Sequence, residues 1–294
     1  MKKIRCFLAL ILALCFLTPT AFFVACRNEE PQLNAPTLEE NESQSESSSS
    51  APSIEDNTPT PTPTPMPTPP KEENSSPNSP PKTELAKYIR LTGNNVNVRK
   101  GAGTDSSTIG SAEKGTVYAL IGQTGNWYKT YYKNQTAYIY AEYASVFTLE
   151  KSTDEDVESV IEEGYKLLGV PYVYGAVRFH DGKGNLLGGF SAQKFDCSSL
   201  VQYAFYKGAG VKLGVHTRAQ VVQGKPVKRA DLQRGDCIYF TNEDRRYNTG
   251  IERVGHVAIY LGNDYILHTA SDYARIEKLT AKRWSFYIEA RRFL

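Results

Sequence analysis

The sequence predicts a multidomain chain: a small all-β unit over residues 85–150, then an α+β unit over 151–294. An export segment (1–25) and a disordered linker (26–84) precede them. Three observations carry this reading. Thirteen of the sixteen prolines lie between Pro31 and Pro81, and residues 27–84 hold eleven Asp/Glu against three Lys/Arg, whereas residues 85–294 hold 28 Lys/Arg against 21 Asp/Glu. From Tyr88 to Val146 short β-type segments alternate with turn residues, the pattern of a small β structure. Past Lys151 the apolar period becomes helical and later returns to strand-like runs. A single compact domain is excluded, and so is a uniformly disordered chain. The formal net charge of +2 is an acidic linker cancelling basic folded units.

Lys2, Lys3 and Arg5 precede an uncharged run from Cys6 to Cys26, the basic and apolar parts of an export signal. Its end, Phe23-Val24-Ala25-Cys26, resembles a bacterial lipoprotein processing site, which implies cleavage before Cys26 and lipidation of that residue. A plain secretory signal and an uncleaved anchor stay open as alternatives. Each puts the rest of the chain outside the cytoplasm, either membrane-anchored at the cell envelope or secreted. With Cys6 and Cys15 in the signal and Cys26 lipidated, two of the five cysteines are left, Cys197 and Cys237. Two cysteines do not make a disulfide framework, even where disulfides are permitted.

The linker contains the run Ser47–Ser50 and the alternating Pro-Thr stretch from Pro59 to Pro70. It has almost no apolar side chains to offset the entropy of ordering. Alternating proline favours polyproline II, so full extension reaches on the order of 180 Å. That is a tether for a module working away from its membrane.

In the first folded unit Val96 and Val98 alternate with polar neighbours, Gly101-Ala-Gly103 breaks the run, and Gly122–Asn126 turns into Trp127–Tyr132. The unit has eight tyrosines and neither His nor Cys. It is equipped for contact through aromatic faces with polar tips, not for catalysis. Asn95-Val-Asn-Val-Arg-Lys-Gly101, Ile109-Gly110, Glu113-Lys-Gly115 and Trp127-Tyr128 resemble the bacterial SH3-like domains of cell-wall enzymes, which implies a small SH3-like barrel.

In the second unit Val157, Ile161, Tyr165 and Leu168 fall at helical spacing and end at Gly169. The Gly-rich stretch Asp181–Gly189 lacks the features of a phosphate loop and is expected to be a surface loop. In Phe195-Asp-Cys-Ser-Ser-Leu-Val-Gln-Tyr-Ala-Phe205, Asp196 is a natural N-cap that sets Cys197 in the first helical turn. A thiol there is expected to have a lowered pKa, because the helix dipole and free N–H groups favour its anion. Cys237, in the apolar run Cys237-Ile-Tyr-Phe240, is expected to be buried and inert. A thiol nucleophile needs a base, and the chain has four histidines. His256 and His268 sit in two strands separated by Gly262-Asn-Asp264, read as a three-residue hairpin loop. That loop puts Ala258 opposite His268 and the two histidines diagonally on one face, whereas a two-residue loop would separate them. His180 and His216 are expected on the surface.

A helix-borne cysteine followed by two strand-borne histidines is the papain-like order of nucleophile, base and orienting residue. With Gly169-Val-Pro-Tyr-Val-Tyr-Gly175, Phe195–Gln202, Arg218-Ala-Gln220, Arg234-Gly-Asp236, Gly255–Gly262 and Ile266-Leu-His268, the unit resembles the NlpC-type cell-wall cysteine peptidases. The resemblance implies an α+β papain-like cysteine peptidase domain, a helix bundle packed on an antiparallel sheet. It also implies that Cys197 is the nucleophile, His256 the base and His268 its orienting partner. Tyr172, Asp196, Ser198 and Thr217 then become substrate-binding, with Asp196 and Ser198 at the substrate's free amino end. Ala176, Ser199 and Ala258 replace glycines common in the family, with no loss of a chemical group.

The implied substrate is the peptidoglycan stem peptide, cut between γ-D-glutamate and a diamino acid through a thioester. Three other readings stand beside it: an amidase cutting the sugar–peptide bond, a non-catalytic wall-binding lipoprotein, and a zinc site made by Cys197, His256 and His268. No cofactor or metal is expected. The expected partners are stem peptides and, through the lipid, a membrane, with the chain acting as a monomer. Nucleic acid is a poor partner, because the chain is exported and its basic residues form no binding motif.

Overall fold

The computed structural model describes residues 83–294. The export segment, the linker and Cys26 lie outside them. The first half contributes β1 (Leu85–Leu91), β2 (Val96–Arg99), β3 (Thr108–Ala112), β4 (Val117–Ala119), β5 (Gly122–Thr124), β6 (Trp127–Tyr132), β7 (Gln135–Tyr140) and β8 (Ala144–Glu150). The alternation of Val96 and Val98 becomes β2, with both valines buried and Asn97 exposed. The turn expected over Gly122–Asn126 is shorter: Gly122–Thr124 pairs with β6 as a strand, and Gly125, at φ +53°, starts the reversal.

The second half contributes α1 (Glu155–Lys166), α2 (Cys197–Ala209), α3 (Thr217–Gln220), β9 (Lys225–Val227), β10 (Cys237–Phe240), β11 (His256–Gly262), β12 (Tyr265–Ala270), β13 (Tyr273–Lys278), α4 (Ala281–Trp284) and β14 (Tyr287–Arg292). Helix α1 starts where Asp154 accepts hydrogen bonds from the Asp156 and Val157 N–H groups. Glu155, Asp156 and Glu158 near its start and Lys166 at its end complement the helix dipole. Its buried stripe, Val157, Val160, Ile161 and Tyr165, contains three of the four residues that marked it in the sequence. Helix α2 crosses it closely: a Cβ on Gly208 would lie 2.4 Å from the Val160 backbone nitrogen, so only glycine fits. The described residues thus form extensive sheet with two helices longer than one turn.

The two halves share one sheet. A five-stranded sheet runs β3-β2-β7-β6-β5, and a nine-stranded sheet runs β8-β1-β4-β13-β12-β11-β10-β14-β9. The junction between β4 and β13 is a single antiparallel pair, Val117 with Ile276. Around it the halves interlock. Gly169, at φ +80°, leaves room for the Tyr132 ring, which a Cβ would meet at 2.2 Å. The N–H groups of Lys133 and Asn134 in the β6–β7 turn donate to the carbonyls of Leu168 and Lys166 (2.7 and 2.8 Å), satisfying the carboxyl end of α1.

Arg234 ties the halves through one buried guanidinium. It holds Glu158 with two contacts (2.5 and 2.9 Å) and donates to the Tyr88 hydroxyl (2.8 Å), the Tyr165 hydroxyl (3.1 Å) and the Leu261 carbonyl (3.0 Å). Asp236, two residues on, is 1% exposed and paired with Arg292 at 2.7 and 2.8 Å. Both charged residues of the Arg234-Gly-Asp236 motif therefore hold the framework together.

Candidate functional site

The N-terminus of α2 is fixed by a reciprocal capping box. The Asp196 carboxylate accepts from the Ser199 N–H (2.8 Å), and the Ser199 hydroxyl accepts from the Asp196 N–H (2.9 Å). Ser199 supplies the second arm of the box. Cys197 then starts the helix and faces into a cleft.

The sheet positions the histidines. In the β11–β12 hairpin Ile259 pairs with Leu267, which continues to Ala258 opposite His268, the register expected. The means differ from the three-residue loop. The turn proper is Asn263-Asp264, both at positive φ, closed by the Gly262–Tyr265 pair, and a bulge between Tyr260 and Gly262 restores the parity. The two rings meet: His256 Nε2 lies 2.8 Å from His268 Nδ1. His256 is 8% exposed and His268 is 1% exposed.

Behind His268 stands Glu277 of β13, which the sequence reading did not single out. His268 Nε2 lies 3.3 Å from Glu277 Oε1, a charge contact short of ideal hydrogen-bond alignment, and Arg283 Nη2 holds the same oxygen at 2.8 Å. A ring nitrogen facing a carboxylate carries the proton. His268 Nδ1 is then an acceptor, His256 Nε2 donates to it, and His256 Nδ1 is left with a free lone pair. The relay thus sets the His256 tautomer. Burial favours raising the Glu277 pKa, but the contact with His268 and the charges of His268 and Arg283 prevail and hold it at about 2. Burial, then the neighbouring His268, keeps His256 well below the usual histidine range, and burial lowers His268 although Glu277 opposes it. The resting pair is neutral.

Cys197 departs from its expected acidity. Burial and then the Asp196 charge push its thiol up to about 12, against backbone N–H groups of Val257 and Ser198 that favour the anion. The helix-terminus effect is present but desolvation outweighs it. The resting residue is a thiol that needs its proton taken. Cys237 is fully buried in β10 and its pKa is raised well above normal by burial, as its apolar run predicts.

Cys197 lies where two clefts meet. One, of 540 Å³, is lined by Cys197, His256, Tyr172, Glu243, Lys282 and Arg283 among others. The second, of 620 Å³, adds Arg178, Asp196, Ser198, His216 and Thr217, and Asn242 and Gly255 border both. The half-buried Tyr172 borders both as well, its hydroxyl raised to about 12 by burial and the nearby Cys197 and Asp196, so it is a neutral donor at pH 7. Segment 241–253 supplies much of the rim of the second cleft.

His216 is exposed at that rim and caps α3 by accepting the Ala219 N–H at 3.1 Å. His180 is not on the surface. It is fully buried against Tyr206, with its Nδ1 accepting the Gly182 N–H at 3.0 Å. The Gly-rich stretch after it folds back, pairing His180 with Leu186.

His256 and His268 bond to each other through facing ring nitrogens. Among the described residues no group of three or more His, Cys, Asp or Glu side chains has metal-holding geometry, and no helix is long and apolar enough to cross a membrane. A separate groove of 630 Å³ in the first half is lined by Trp127, Tyr140, Tyr143, Arg99, Asn95 and Asn97.

Residues 169–292 match the NlpC/P60 family, and residues 94–145 match the bacterial SH3 domain. The chain is 33% identical over 126 residues to the gamma-DL-glutamyl hydrolase of Bacillus subtilis, covering 42% of this chain and 26% of that protein. It is 34% identical over 113 residues to the peptidoglycan endopeptidase RipA of Mycolicibacterium smegmatis, 38% of this chain and 21% of that one. It is 28% identical over 165 residues to the gamma-D-glutamyl-L-lysine dipeptidyl-peptidase of Bacillus subtilis, covering 56% and 48%. The chain thus spans between about a fifth and a half of the length of these relatives. Cys197, His256 and His268 all lie inside the segment that matches NlpC/P60, and that segment follows the one that matches the bacterial SH3 domain.

Proposed function

We propose that the chain is a cell-wall hydrolase, a cysteine endopeptidase that cuts peptidoglycan stem peptides at the γ-D-glutamyl–diamino acid bond. The observation that carries this is Cys197 at a capped helix start, on the same cleft as a histidine whose far nitrogen is held 2.8 Å from a second, carboxylate-backed histidine. The relatives named as gamma-glutamyl hydrolase and dipeptidyl-peptidase support the choice of bond.

His256 Nδ1 takes the thiol proton as Sγ attacks the amide carbonyl carbon, and a tetrahedral oxyanion forms. The capping box occupies the Ser199 N–H and leaves those of Cys197 and Ser198 for that oxyanion. Each such donor is worth roughly 3 kcal/mol. The imidazolium returns its proton to the departing nitrogen, the C–N bond breaks, and a thioester remains. Water activated by His256 then attacks the thioester and restores the thiol. Neutral partners suit this order, because a cysteine raised to about 12 and a histidine far below its usual range exchange a proton only as charge develops on the substrate.

Tyr172 and Thr217 line the substrate clefts in this reading. The SH3 domain acts as a wall-contact module through its aromatic groove. Residues 1–25 serve as the export signal, Cys26 carries lipid, and the Pro-rich linker spans from membrane to wall. The test is mass spectrometry of purified peptidoglycan digested by the protein. Dipeptide ends at γ-D-glutamate, lost with Cys197→Ala, are expected. Free stem peptides beginning with alanine, or unchanged digestion by Cys197→Ala, would sink the proposal.

A further inference from the structure

The resemblance to NlpC-type peptidases gives Asp196 and Ser198 to a substrate's free amino end. In this chain an arginine already occupies that position. Asp196 Oδ1 accepts from the Ser199 N–H (2.8 Å) and the Ser198 hydroxyl (3.1 Å). Its Oδ2 accepts from the Gly175 N–H (3.2 Å) and pairs with Arg178 Nη1 (2.8 Å). A carboxylate offers about four acceptor sites, and here all four are filled from within the chain. The Asp196 side chain is 5% exposed. The Ser198 hydroxyl, which donates to Asp196, is itself the acceptor for Arg178 Nη2 at 3.1 Å.

Arg178 is held as firmly as it holds. Its Nε donates to the Val215 carbonyl at 2.5 Å and its Nη1 to the Ala176 carbonyl, and its side chain is 17% exposed. The guanidinium is therefore a built-in cation standing where a substrate ammonium would have to stand. A free amino terminus entering the 620 Å³ cleft would find the carboxylate already paired and a positive charge beside it. Displacing Arg178 would break four contacts and leave a charge unpaired in a mostly buried place, which is costly.

We propose that Arg178 is a specificity-determining residue that closes the amino-end subsite, so that the enzyme takes stem peptides whose amino end is still acylated, as in glycan-linked wall, and gains nothing from a free amine. This rests on the endopeptidase reading above and names its substrate class. No carboxylate charge is left to pair an ammonium, whereas an acylated amino end brings no charge that needs pairing there.

The experiment compares kcat/KM for two synthetic peptides, L-Ala-γ-D-Glu-L-Lys-D-Ala and its N-acetyl form, using the wild-type protein, Arg178→Met and Arg178→Lys. Wild type is expected to cut the acetylated peptide at least as well as the free one. Arg178→Met exposes the Asp196 carboxylate and should shift the ratio toward the free amine by about tenfold or more, mainly through KM, the worth of one charged hydrogen bond. Adding Asp196→Asn should remove that shift. Arg178→Lys keeps a cation against Asp196 and should keep the wild-type ratio, which separates subsite closure from loss of fold. A wild-type preference of about tenfold or more for the free amine, or an unchanged ratio in a folded Arg178→Met protein, would overturn the inference alone. Cleavage of neither peptide by wild type would overturn the endopeptidase reading with it.

Discussion

Replacing Glu277 by glutamine tests whether the carboxylate behind His268 tunes the site or only fills space. Glutamine keeps the shape and an acceptor oxygen, so the perturbation is close to a pure loss of charge. The Glu277 carboxyl is held at about 2 against an ordinary 4.5. At 1.36 kcal/mol per unit that is a net stabilisation of the carboxylate by roughly 3 kcal/mol after the cost of burying it, supplied by the histidine side and Arg283 together. If the two share it evenly, up to about 1.5 kcal/mol reaches the imidazolium that forms on His256 through His268, so kcat/KM drops by at most roughly tenfold. Less stable imidazolium gives up its proton sooner, so the acid limb of the pH profile, below which His256 is protonated and cannot act as base, moves down by about one unit.

A linked effect appears in stability. Glu277 has a depressed folded pKa, so its contribution is present above its unfolded value and is lost as pH falls from about 4.5 toward 2. The assay is kcat/KM against pH on one defined stem peptide, with acid unfolding followed in parallel. A lower kcat with an unmoved acid limb of activity and an unchanged acid-unfolding midpoint would refute the relay argument.

Arg234→Met should destabilise the fold by about 3–5 kcal/mol in urea unfolding, since it strands Glu158 and two tyrosine hydroxyls around a formerly buried cation. A loss below about 1 kcal/mol would mean the network is no more than a surface pair. Ser199→Ala removes one arm of the capping box and should cost about 1 kcal/mol by the same measurement. Trp127→Ala, in the SH3 groove, should weaken pelleting of the protein with purified wall and leave kcat/KM on a small soluble peptide unchanged. A parallel fall in both would contradict a wall-contact role for that groove.

The parts of the site that were legible in the sequence are those fixed by local rules. Asp196 as an N-cap follows from its side chain and the apolar stripe after it. The shared face of His256 and His268 follows from strand parity, although the chain reaches it through a bulge and a two-residue turn. Arg178 was not legible, because it lies in an irregular segment whose path to Asp196 no periodicity encodes. Glu277 left a weaker signal. Residues Tyr273–Lys278 do alternate, but placing Glu277 near His268 needs the register of a third strand. The thiol's acidity was misjudged for a related reason: the helix terminus is a sequence feature, whereas the desolvation that outweighs it comes from the assembled fold. His180 went the same way: the composition around it reads as solvent-facing, whereas its burial against Tyr206 comes from the assembled fold.

The single rung between Val117 and Ile276 has a consequence for how such a protein can be taken apart. A peptidase half cut free at residue 151 would leave β13 as a bare sheet border next to the histidine strand, with backbone groups ready to pair with another molecule. It would also expose the apolar surface that Tyr132 and Tyr88 now cover. The two domains are therefore not interchangeable beads on a string. Grafting this peptidase onto another targeting module requires carrying β1, β4 and β8 along, or redesigning the outer edge of β13 to stand in water.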